Sequence, residues 1–442
     1  MENKKNIKKL SFSNKGFAAF YVAIIVLIIM AGIALSLTFL VVNQQKILSN
    51  SLTSYKSFSV AEAGIEDALL RLVKGMNLPS SYPYELILGD GTSNVDISDI
   101  VGGTRIITST GNVNDRIRKV RVVFSIESDQ ISFYYGAQVG NGGMVMGNNS
   151  RVKGNVFSNG SVYAPTGVGY IDNSIIVAQS GNRIEGLEVG QDATVHTCKD
   201  SIVDGILTYV SGGSINNCCC SASCSSPPCQ AVKTRPNQID PIPLPITPIL
   251  ISKWKLAAED GGVITPPAPA YTKIISGVES LGPKKIEGNL KVQGTLRVTG
   301  TIYVTGNILF DTGSIVQLDN SYGSLSGVII AGTLGTITVE NGTQINGSGD
   351  PCDCSYILVL SERADTVNPV IDVRNNALGE SVFYANDGLI YLKNGMQARE
   401  VTAKKIQIEN NAVIEYKSGL ATANFTSGPY GSWEVASWKE IE

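Results

Sequence analysis

The sequence predicts an α+β, mostly β fold: a long N-terminal transmembrane helix, a small β platform and an interrupted Gly-rich β-solenoid. Three observations predict it. A charge-free apolar run extends from Phe17 to Val42. Gly occurs 46 times while charged residues make up only 17% of the chain, which suits short strands and tight turns rather than a helical bundle. Four Gly-headed hexads, GNLKVQ, GTLRVT, GTIYVT and GNILFD, follow one another over residues 288–311, the signature of a stacked coil.

The apolar run has 26 residues, and about 20 suffice to span a bilayer core. Lys4, Lys5, Lys8, Lys9 and Lys15 all precede it, and the next basic residue is Lys46. That bias predicts a single-pass protein of the cell membrane, with a cytoplasmic N-terminus and residues 43–442 outside. A secretory signal has a shorter apolar core and a small-residue cleavage site, which this run lacks. The chain's net charge is −3, and outside the basic leader no patch suits phosphate recognition, so nucleic acid is not an expected partner.

Residues 43–75 predict a continuation of the same helix beyond the membrane. Ile65, Leu69, Leu72 and Val73 recur on one helical face, Asp67 and Arg71 stand four apart as a favourable pair, and Gly75 with Pro79 supplies a stop.

A lysine-rich leader ending in Gly16, followed by Phe17 opening an apolar helix, resembles the prepilin processing signal of type IV pilins. The continuation SFSVAEAGIEDALLRL at 57–72 resembles the N-terminal domain of PilX-type pilus assembly proteins. The resemblance covers about the first 75 residues. It implies cleavage between Gly16 and Phe17 by a prepilin peptidase, methylation of Phe17 and assembly with other pilin subunits. Tyr21 stands where major pilins place a Glu, a departure that suits a minor or tip pilin better than the filament body.

Beyond the helix, RIITSTG (105–111) and RKVRVVFSI (118–126) predict two antiparallel strands with a turn within Gly111–Asp115, packed on the amphipathic helix as the platform. In the hexads, Leu290/Val292, Leu296/Val298, Ile302/Val304 and Ile308/Phe310 place two apolar residues on one face of each short strand. Three hexads would make one triangular turn, and the register slips after Asp311. The expected solenoid spans 133–416; a β-sandwich with Gly-rich hairpins is the alternative. Residues 227–248 carry seven prolines, as an extended linker would. Thr247 and Pro248 read as N-cap and first residue of a helix over 248–260 with Leu250, Ile251 and Trp254 as its apolar stripe, ended by Gly261-Gly262. The terminal GSWEVASWKEIE is expected to be an edge strand closing the solenoid's open end. The expected parts are thus a leader (1–16), membrane helix (17–42), platform (43–132), Gly-rich β region with a Cys-rich loop (133–226), Pro-rich linker (227–272) and β-solenoid with C-terminal edge strand (273–442).

Cys198, Cys218, Cys219, Cys220, Cys224, Cys229, Cys352 and Cys354 all lie in the exported region, which argues for up to four disulfides. Cys220, Cys224 and Cys229 have loosely zinc-like spacing, but the regular C-x₂₋₄-C repetition is missing, so no metal site and no cofactor are expected. His196 is the sole histidine and sits in a strand-like setting. Asp311, Asp319, Asp372 and Asp387 are scattered, and nothing in the linear order pairs two of them for acid–base work. The Asn-x-Ser/Thr sequons at Asn148, Asn159, Asn341, Asn346 and Asn424 mark turns.

These features predict a non-enzymatic surface subunit that is pilin-like and displays a β-solenoid. The alternatives are a membrane-tethered adhesin or carbohydrate-binding module facing surface polysaccharide or a neighbouring or host cell, and a β-helix polysaccharide-degrading enzyme.

Overall fold

The computed structural model describes residues 15–74, 83–98, 104–126, 128–219, 232–235, 237–349, 354–426 and 433–441. Helix α1 runs unbroken over Lys15–Lys74, about 90 Å at the α-helical rise. The chain divides into two units, one comprising the chain up to Ile97 with Ile107–Val122 and Trp438–Glu442, the other Ser98–Ile106 and Val123–Ser437.

In the first unit, α1 packs on a sheet ordered β1 (Tyr84–Leu88), β2 (Gly91–Ile97), β3 (Thr104–Val113), β4 (Arg116–Ile126), then the C-terminal strand Trp433–Ile441. The turn between β3 and β4 sits at Asn114 and Asp115, both left-handed (φ 47° and 60°), the twist that suits a two-residue hairpin. The helix face against the sheet is lined by small residues: Ser57, Ala61, Gly64 and Ala68 are buried beside Ile65. A Cβ at Gly111 would collide with the Ser57 carbonyl, and one at Gly64 with the Ser93 and Ser109 hydroxyls. Close approach, rather than interdigitation of large side chains, therefore makes this interface. Of the expected apolar stripe, Ile65 is buried and Leu69 only half-buried; the side chains of Leu72 and Val73, and Gly75 and Pro79, lie outside the description.

The second unit is a β-solenoid of parallel strands, which excludes the sandwich. Asn289–Val292, Thr295–Val298 and Ile302–Val304 form three sides of one coil. Ile308–Phe310 then lies beside the first side, with Leu290 opposite Ile308, so three hexads make one turn. The slip after Asp311 has a local cause. From here on a four-residue turn is added at one corner: 311–314, 340–343, 374–377, 393–396, 409–412 and 147–150. In each, the fourth N–H donates to the first carbonyl at 3.0–3.4 Å. The third residue (Gly313, Gly342, Asn376, Gly395, Asn411 or Asn149) has positive φ, a backbone that Gly and Asn tolerate.

Coil order departs from chain order. The strands from Ala137–Met146 to Val232–Arg235 stack from the middle of the solenoid to one end. The chain then returns along the flank and restarts at Val263–Ile264 at the other end, building back to 400–415. There the two runs join: Val401 pairs with Ala137, Ile406 with Met144 and Val413 with Arg151, all parallel. The return segment is tied to successive coils. Gln179 N–H donates to the Ile239 carbonyl (3.1 Å), Asn159 Nδ2 to Ile242 (2.8 Å), Gln138 Nε2 to Pro243 (2.9 Å) and the Tyr384 hydroxyl to Ile246 (3.1 Å).

Helix α2 follows over Pro248–Asp260, capped by the Thr247 side chain and closed at Gly261. It buries Ile251, Trp254, Ala257 and Ala258, with Leu250 half-buried; Ile251 and Trp254 join a cluster with Val328, Ile330, Leu358, Leu360 and Val382. Lys255 pins it by an ion pair to Glu362 (2.9 Å) and lies over the Tyr303 ring (4.9 Å).

Two expectations change. The C-terminal strand does not close the solenoid; it extends the platform sheet beside β4, so the solenoid is inserted between the fourth and fifth platform strands. Inside the expected linker, Val232–Arg235 pairs with Leu207–Val210 as a further coil. Both chain connections of the solenoid unit leave it as neighbours, Ser128–Ile131 running antiparallel to Ala423–Thr426.

Candidate functional site

The most unusual surface belongs to α1. Every large apolar side chain from Phe20 to Val42 is 40–72% exposed, and the helix is long and apolar enough to cross a membrane. So much contiguous apolar surface is not stable against water and requires lipid or other helices around it. Gly16 and Phe17 lie in the first turn of this helix, so the peptide bond expected to be cleaved is at its start. Further along, Arg71 Nε donates to Asp67 (2.7 Å), and the Tyr84 hydroxyl donates to the same carboxylate (2.9 Å). Asp67 holds the Arg71 guanidinium above its usual range. Lower on the helix, a groove of about 620 Å³ is lined by Asn50, Ser54, Phe58, Arg116, Arg118 and Glu440. Arg118 bridges Ser54 (2.7 Å) and Glu440 (2.9 Å) across it.

On the solenoid, stacking gathers residues that the sequence scatters. Asp311 and Asp372 come onto one face with Glu340, Tyr391 and Glu409. Each carboxylate meets a cation or donor from its own or a neighbouring rung: Lys291–Asp311 at 3.0 Å, Arg374 to Glu340 at 2.7 Å and to Asp372 at 3.2 Å, and the Tyr391 hydroxyl on Glu409. Lys291, with the Thr312 N–H and Gln293, holds the Asp311 carboxyl below its usual range. Burial, with Glu409, pushes the Tyr391 hydroxyl up to about 12. The arrangement is a lattice of ion pairs, in which Asp372 Oδ1 is buried without a hydrogen bond and faces Lys393 Nζ at 3.5 Å. Asp319 instead accepts the Ser321 N–H at a short turn (3.1 Å), and Asp387 pairs with Lys404 (3.2 Å). His196 is half-buried with Nδ1 3.0 Å from the Thr197 hydroxyl.

One residue escaped sequence reasoning. Glu400 is fully buried, its carboxyl 2.5 Å from the Thr402 hydroxyl, and burial raises it well above the ordinary carboxylate range. Alternation in EVTA places Glu400 and Thr402 on the outward face, yet this flank is covered.

Cys198 and Cys218 form a disulfide (Cα–Cα 6.2 Å) between Thr197–Val203 and its neighbouring strand Ile215–Cys219. Cys354 is also disulfide-bonded. Cys220, Cys224, Cys229 and Cys352 lie outside the described residues, as does the Cys219 side chain. Among the described residues no cluster of His, Cys, Asp and Glu is arranged to hold a metal ion.

No family model and no curated protein matches the chain. Among solved structures it is similar to the competence-associated pilin ComZ from Thermus thermophilus, at 12% identity and a TM-score of 0.26, covering 88% of this chain and 98% of that one. It is also similar to an ice binding protein from an Antarctic Flavobacteriaceae bacterium, at 10% identity and a TM-score of 0.13, covering 64% and 81%.

Proposed function

We propose that this chain is a pilin-like surface subunit of the minor or tip kind, non-enzymatic, held in the cell membrane by α1 and displaying the solenoid outside. The exposed apolar surface of α1 between Phe20 and Val42 carries the reading, because it requires lipid first and other helices once extracted. The Gly16–Phe17 junction at the start of that helix, after a lysine-rich leader, supports processing by a prepilin peptidase and exchange of lipid for the helices of neighbouring subunits. Rows of side chains at a fixed spacing make the solenoid a long regular surface, suited to contact with surface polysaccharide or a neighbouring or host cell.

The test is the identity of the mature N-terminus, read by mass spectrometry in sheared surface material and in membranes separately. Methylated Phe17 in the sheared fraction is expected. An intact leader confined to membranes would overturn the pilin reading in favour of a tethered adhesin or carbohydrate-binding module.

A further inference from the structure

The coil at 263–281 begins the second run and forms one end of the stack. Thr272–Ile275 pairs only with Asn289–Val292, and Val278–Leu281 only with Thr295–Val298, among the described residues. Each therefore presents a free edge, and Tyr271, Ile274 and Val278 are exposed beside it (49–72%). Such an end is a template for another strand. The C-terminal strand, expected at an open end of the solenoid, lies in the platform sheet.

Register shows what stands there instead. Lys273 is opposite Leu290, and Glu279 is opposite Leu296. The same columns continue inward as Leu290, Ile308 and Ile337, and as Leu296, Val316 and Ile345, all buried. Two positions that the next three coils fill with aliphatic side chains thus hold opposite charges, joined at 2.6 Å. Lys284, opposite Ile302, likewise turns its ammonium to the Gly261 carbonyl (2.5 Å). Ile275 and Leu281, the alternate inward positions, stay apolar and buried.

We propose that the Lys273–Glu279 pair makes this end a closed terminus, preventing a second copy of the chain from stacking its solenoid there. A coil added on top would strip water from both charges, a cost that their mutual attraction does not recover. The hydrophobic column stops at the pair while the pair itself stays wet. Association between copies is thereby left to surfaces other than this end. The inference concerns the solenoid alone and stands whether or not the subunit enters a filament.

The experiment uses the full chain reconstituted at one copy per nanodisc. The Lys273→Leu/Glu279→Leu variant continues both aliphatic columns. It is expected to pair nanodiscs end to end, with hydrogen exchange over 272–281 slowed at least tenfold on pairing. The wild type and the reversed pair Lys273→Glu/Glu279→Lys are expected to remain single, with exchange over 272–281 independent of concentration. A Leu/Leu variant that keeps native protection over 289–310 and yet stays single would overturn the proposal. So would concentration-dependent protection of 272–281 in the wild type, a measurement that decides the matter even if the Leu/Leu variant fails to fold.

Discussion

Replacing Glu400 by Gln should remove a pH dependence from the solenoid's stability. Glu400 lies in the strand that joins the two runs, with Val382 beside it and Val401 paired to Ala137. The carboxyl is fully buried, and Tyr384 and Tyr416 are the titratable groups whose charge it influences. Unfolded, it ionises near 4.5; folded, burial keeps it protonated well above that. The folded state therefore holds one more proton than the unfolded state across that interval. Stability falls as pH rises through it, by about tenfold in the folded-to-unfolded ratio per pH unit. That is about 1.4 kcal/mol for each pH unit of the interval. For a unit of roughly 300 residues, that is about 2 °C of melting temperature per pH unit. Gln keeps the shape and a hydrogen-bonding group for Thr402 but carries no titrating proton. Thermal melts of the full chain in detergent, wild type against Glu400→Gln, should give curves whose separation widens in favour of the variant as pH rises above 5. Other titrating groups cancel in that difference. A separation independent of pH would refute the reasoning, because it would mean that the folded carboxyl ionises as freely as the unfolded one.

Two further outcomes follow from the packing. Gly111→Val should push α1 off the sheet, since the added atoms meet the Ser57 carbonyl and the Ala61 amide; a loss of about 3 kcal/mol is expected, seen as faster hydrogen exchange over 57–68 with the solenoid coils unchanged. Cys198→Ala/Cys218→Ala opens a loop with a sequence separation of 20 and should cost about 3 kcal/mol, read as earlier unfolding of 197–219 in a denaturant series while 289–339 keeps its midpoint.

Much of this architecture was legible because it is local. The hexads announce their own geometry, since two apolar residues and a Gly corner leave the short strand little else to do, and Thr247-Pro248 marks the start of α2 unaided. The slip after Asp311 carried a signal too. DTGS, ENGT, RNNA, KNGM, ENNA and GNNS share a Gly or Asn third residue, the αL position of one stacked turn. The covered flank was also visible in principle, because GVIIA and YILVL do not alternate, as strands buried on both faces need not. Coil order was not legible. Pairing of Ile406 with Met144 depends on the return segment running back along the stack, and no residue near either strand encodes that path. The small-residue face of α1 was missed for a related reason: periodicity weighs large apolar side chains, whereas Gly64 and Ala61 act by leaving room. The C-terminal strand misled because an edge strand reads alike whichever sheet it joins.

The paired exit at Ser128–Ile131 and Ala423–Thr426 governs how the solenoid would bear a load. In a solenoid threaded end to end, tension on one terminus passes through every coil and can unwind them in sequence. Here both connections leave as neighbours, with Asn424 beside Gln130 and Phe425 beside Asp129. A pull on anything bound along the coils is therefore shared by two strands acting in parallel. A single cut in one connection would leave the other holding, so detachment needs two breaks where an end-threaded solenoid needs one.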